Sequence, residues 1–94
     1  GCLFGNLANE LSTQDEPICA RIQQTFRKLQ MLLSGVLQSA QQRGELAVDV
    51  DAAATAQAML AYFEGVLLLA KNQNNPEVIR QLLPAMVRIR IQQS

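Results

Sequence analysis

The chain has 94 residues, 49% of them hydrophobic, with only five glycines and three prolines, which suits one helical domain around a modest core and is too short for two. Eight basic and eight acidic residues cancel to zero formal charge, so a strong electrostatic grip on nucleic acid or an anionic membrane by this chain alone is excluded. No histidine is present and the two cysteines, Cys2 and Cys19, are not spaced as a C-x-x-C pair, which removes the common zinc patterns and the Ser/His and Cys/His dyads.

In chain order, the first predicted helix covers residues 2–11, with Leu3, Phe4, Leu7, Ala8 and Leu11 on one arc and Cys2, Asn6, Asn9 and Glu10 on the other. Helical periodicity begins at once, without an initiating Met, so the chain reads as a fragment of a longer protein. Residues 12–16 form a break, after which Asp15 or Glu16 opens a second helix and Pro17 sits in its first turn, where a missing N–H costs nothing. This second helix is expected from residue 17 to about 43, because Ile18, Ile22, Phe26, Leu29, Leu33, Val36, Leu37 and Ala40 keep helical spacing. Arg43 suits the negative end of its dipole and Gly44 a left-handed cap. Residues 45–51 connect, with Leu46 tucked beneath the helices as a plug.

The third predicted helix, residues 51–71, organises the rest. Asp51 supplies the N-cap and no proline interrupts before Asn72, giving a rod of about 30 Å. At about 100° per residue, Ala52, Thr55, Ala56, Met59, Phe63, Val66, Leu67 and Ala70 form one apolar stripe. A second face carries Ala54, Ala58, Ala61 and Gly65, flanked by Leu68 and Leu69, with Gln57, Glu64 and Lys71 as a thin polar line between the two. Two apolar faces on one helix require covering from two sides. The run of residues 58–70 contains Glu64 and falls short of a bilayer crossing, and no signal peptide is evident, so a soluble protein of the reducing cytoplasm without membrane partners is expected. After a polar turn at residues 72–75, Asn75, Pro76 and Glu77 start a fourth helix reaching at least Ile91. Val78, Ile79, Leu82, Leu83, Met86, Val87 and Ile89 spread over nearly half its circumference, and Pro84 on its polar side is expected to kink it without ending it.

The opening Gly-Cys-Leu-Phe-Gly-Asn-Leu-Ala-Asn-Glu-Leu, the Gln-Arg-Gly-Glu-Leu at 42–46, the Asp51-Ala52 helix start and the Glu64-Gly65-Val66-Leu67-Leu68-Leu69-Ala70-Lys71 segment resemble, in order and spacing, the C-terminal regulatory domain of TetR/AcrR-family transcriptional repressors. The resemblance covers nearly the whole chain. It implies an all-α fold, the last four helices of a TetR-like regulatory domain, dimerising through a four-helix bundle. It further implies a bacterial, cytoplasmic homodimer that binds a small effector and reaches operator DNA only through an N-terminal helix-turn-helix domain absent from this sequence.

The candidate residues carry two readings each. Cys2 is either a thiol that senses an effector or a small apolar filler, and Cys19, beside Phe26, is core. Asn6, Gln30 and Tyr62 lie at the margins of apolar arcs, as the orienting polar groups of a pocket or as solvated edge residues. Phe26, Met59 and Phe63 line the same cavity or pack as plain core. The expected effector site is thus Cys2, Asn6, Phe26, Gln30, Met59, Tyr62 and Phe63, and the expected dimer interface is Ala58, Ala61, Gly65, Leu68, Leu82, Met86 and Ile89. Arg80, Arg88 and Arg90 read as a solvated face. No metal or cofactor is called for, and the dispersed carboxylates do not support catalysis. The alternative to a ligand-sensing regulator is a free-standing helical module that binds a protein partner.

Overall fold

The computed structural model describes residues 16–94, and every named element among them is a helix. The expected helix over residues 2–11, with Cys2 and Asn6, lies outside the described residues, as does the break expected at residues 12–16 except for Glu16, which is already helical. The described chain runs through α1 (Glu16–Gln42), α2 (Ala52–Asn72), α3 (Glu77–Leu82) and a 3-10 helix (Leu83–Arg88).

Gly44 ends α1 as anticipated: its φ of +78° is one that side chains with a Cβ rarely adopt. That turn lets the amides of Glu45 and Leu46 both donate to the Ala40 carbonyl, at 2.8 and 3.3 Å, satisfying an end that would otherwise lack partners. Arg43 lies one residue past the helix and its guanidinium pairs with Glu45 at 2.9 Å. Gln41 pins the following connection, its amide nitrogen donating to the carbonyls of Ala47 at 3.0 Å and Val50 at 2.8 Å. Leu46 is half-buried, whereas Val50, not singled out by the sequence pattern, is fully buried.

Asp51 caps α2 through Oδ1, which accepts from the Ala54 amide at 3.0 Å. The helix packs on α1 on one side and on α3 and the 3-10 helix on another. Ala52, Thr55, Ala56, Met59, Leu60, Val66 and Ala70 are buried. Phe63 and Leu67, expected in the same stripe, are half-buried, and Leu60 joins the core instead. At about 1.5–3 kcal/mol per large apolar side chain, Met59, Leu60 and Val66 anchor this core. Although the run of residues 58–70 is short, α2 as a whole is long and apolar enough to cross a membrane by length and composition. Of that apolar stretch 33% is buried, against α1, α3 and the 3-10 helix, and the rest of its apolar surface is left partly or wholly open.

α1 keeps its expected limits to within a residue but not its expected burial. Its only helical neighbour among the described residues is α2, so Val36 from the predicted stripe is 62% exposed, and Ile18 and Leu29 are also exposed.

The fourth predicted helix requires a larger correction. Asn75 does start it, with Oδ1 accepting from the Glu77 amide at 3.1 Å. However, the α-helix stops at Leu82 instead of running on to Ile91. Pro84 has no N–H and in a continuing α-helix its ring would crowd the carbonyl of Arg80, and the chain tightens into the 3-10 helix rather than bending and continuing. From Ile89, with φ −69° and ψ 130°, the backbone is extended. Residues 89–94 return to the start of α2: the Asp51 amide donates to Ile91 O at 2.8 Å, the Gln93 amide to Asp49 O at 2.8 Å, and Val50 and Gln92 form an isolated antiparallel bridge. Thr55, at 0% exposure, completes the clasp by accepting from the Ile91 amide at 3.0 Å through Oγ1.

Candidate functional site

A groove of about 320 Å³ lies between α1 and α2. Helical spacing builds both walls: Ile22, Phe26 and Gln30 recur every four residues on α1, with Gln23 and Arg27 beside them, while Gln57, Leu60, Ala61 and Glu64 follow one face of α2. The floor is apolar, from Ile22, Phe26, Leu60 and Ala61, and the polar groups are three glutamine amides, Arg27 and the Glu64 carboxylate. This mixture joins an apolar floor to five polar or charged side chains, and the volume falls at the lower end of the range of small-molecule sites. Burial pushes the Glu64 carboxyl above its usual pKa of 4.5, because a partly dried environment disfavours the charged form.

Of the expected effector residues, Phe26 and Gln30 line this groove. Met59 is 6% exposed and sits in the core. Tyr62 points elsewhere, its hydroxyl donating to the Leu82 carbonyl at 2.7 Å, and Phe63 is half-buried away from the groove walls. Cys2 and Asn6 lie outside the described residues, and Cys19 is a half-buried thiol. Gln23, Arg27, Gln57, Leu60 and Glu64 were not anticipated. The signal was the thin polar line of Gln57 and Glu64 on an otherwise apolar helix, seven residues apart and therefore on one face.

Four of the seven expected dimer residues divide between two depressions. Ala61 belongs to the groove just described, whereas Gly65, Leu68 and Leu82 line a second, almost wholly apolar depression of about 400 Å³ with Tyr62, Val66 and Leu69. A Cβ on Gly65 meets nothing within 4 Å, so the helix surface there is open. Ala58, Met86 and Ile89 are half-buried, Met86 in the 3-10 helix and Ile89 just beyond it. Among the described residues no group of three or more potential metal-ligating side chains occurs.

These features, two long helices enclosing a groove beside an open apolar face, meet a family assignment that covers most of the chain. The chain belongs to the tetracyclin repressor-like C-terminal domain family, whose model matches residues 1–86. It is thereby part of the TetR group of transcription regulators, in the domain associated with ligand binding and dimerisation. Comparisons with curated proteins and with solved structures found no match.

Proposed function

We propose that this chain is the ligand-sensing and dimerisation part of a TetR/AcrR-type repressor, and that a small effector bound between α1 and α2 releases the full-length protein from operator DNA. The observation that carries the reading is the groove itself, an apolar floor rimmed by hydrogen-bonding and charged side chains, in a chain of this family. Phe26 and Gln30 bind the effector directly, Met59 supports the wall from behind, and Tyr62 and Phe63 couple the wall to the opposite face of α2. If the effector favours one packing of α1 on α2, its binding energy shifts the separation of DNA-reading domains attached upstream.

The apolar depression around Gly65, Leu68 and Leu82 is the proposed two-fold contact, extended by Ala58, Met86 and Ile89. The test is a thermal-shift screen of the full-length protein against small metabolites, followed by Phe26→Ala on any hit. The expected result is loss of the shift in the variant, together with hit-dependent release of operator DNA in a gel shift. A hit that survives Phe26→Ala would place the site on another wall.

A further inference from the structure

We infer that the α1–α2 groove selects a small organic cation, an ammonium group on an apolar body, with its charge set against the Glu64 carboxylate. The inference rests on the groove being the ligand site proposed above.

Glu64 shares the groove with Ile22, Phe26 and Leu60 and is half-buried, yet among the described residues its side chain makes no ion pair or hydrogen bond. A carboxylate removed from part of its hydration and given no donor in return is unfavourably placed, and a ligand that brings a positive charge relieves it. The rise in its pKa through burial has the same origin.

The other polar groups do not choose a sign of charge. Gln23, Gln30 and Gln57 each offer both a donor and an acceptor, whereas an ionised carboxylate only accepts. Arg27 is the one cation among the described residues that line the groove, and exposure decides its weight. It is exposed where Glu64 is half-buried, so water and salt screen its field more strongly than that of Glu64. The Phe26 ring in the same wall adds a favourable surface for a cation. The groove's one carboxylate is not part of any group of three or more His, Cys, Asp or Glu side chains among the described residues, so its charge suits an organic cation better than a metal ion.

The test uses the full-length protein and three probes of equal chain length, hexylamine, hexanol and hexanoate, titrated calorimetrically and followed through the resonances of Ile22, Phe26 and Leu60. Hexylamine is expected to bind about tenfold more tightly than hexanol, as one charge-assisted hydrogen bond provides, with hexanoate weakest. Glu64→Gln, close to isosteric, should bring hexylamine down to the affinity of hexanol and leave hexanol unchanged. Arg27→Gln should move hexylamine the other way, slightly tighter, which keeps the test intact if the Glu64 variant does not fold. An amine-to-alcohol ratio that neither variant alters, or tightest binding by hexanoate, overturns the cation inference while leaving the groove as a ligand site. If none of the three probes perturbs those resonances, the groove reading falls, and the inference with it.

Discussion

α1 and α2 are both long helices rich in apolar residues, and they reach opposite surroundings. α2 withdraws seven side chains from water because α1 lies along one side and α3 and the 3-10 helix along another. None of the described side chains of α1 is fully buried, since α2 is its only helical neighbour among the described residues. Met31, Leu32 and Val36 are left 73%, 67% and 62% exposed around Gly35. Burial is therefore a matter of how many elements surround a helix, and apolar periodicity reports only the demand for cover.

The difference makes Met59 and Met31 a matched pair. Met59→Ala should cost about 2–5 kcal/mol in urea unfolding, through lost contacts and the cavity left behind. Met31→Ala on the open face of α1 should stay within about 0.5 kcal/mol. Equal losses would mean that the outer face of α1 is covered in solution.

Thr55→Val comes next. It keeps the shape but strands the Ile91 amide, so a loss of about 1–3 kcal/mol is expected, accompanied by faster hydrogen exchange at Ile91. Unchanged exchange there would show that the returning segment is not held by Thr55. Asp51→Ala removes the cap that α2 has and should cost about 1 kcal/mol, read from the same unfolding curves.

Gly65→Leu should leave the fold of the single chain nearly as it was, because the added side chain starts in open space, while sedimentation should show a weakened dimer. A shift to monomer without loss of helicity supports the two-fold contact; an unchanged dimer moves that contact elsewhere.

The smallest effect concerns Glu64, whose folded pKa is raised above 4.5 by burial. Its contribution to stability is fully present below the unfolded value and is lost as pH rises through the folded one, since ionisation then occurs in a partly dried site. Glu64→Gln, neutral throughout, should therefore stabilise the protein at neutral pH, with the gain vanishing in acid below the ordinary carboxylate range. A gain independent of pH would point to packing rather than charge.

Much of this was open to local reasoning. The Asp51 cap, the left-handed Gly44 and the Asn75 start are short-range devices, each determined by a side chain and the few backbone groups beside it. The long rod of α2 and the all-helical class followed from periodicity in the same way, and the quoted motifs pointed to the family. The site was less legible. Phe26 and Gln30 stood out, but Glu64 and Gln57 were read as a polar line, because one helix wheel does not say which neighbour a polar residue meets.

The fate of the last segment was decided only by tertiary structure. In residues 89–94 Ile89 and Ile91 stand two apart, an alternation too short to specify a strand by itself, while Pro84 removes a helix hydrogen bond on one side and Asp49, Val50, Asp51 and Thr55 offer partners on the other. Those partners lie 36 or more residues away in the chain at Thr55 and Ile91, beyond the reach of any local pattern. The sequence by itself determined where the described helices begin and where α1 and α2 end, through nearby chemistry; where the last helix gives way to extended chain, which faces the helices cover, and which residues meet across a groove depended on contacts that exist only once α1, α2 and the returning segment have assembled.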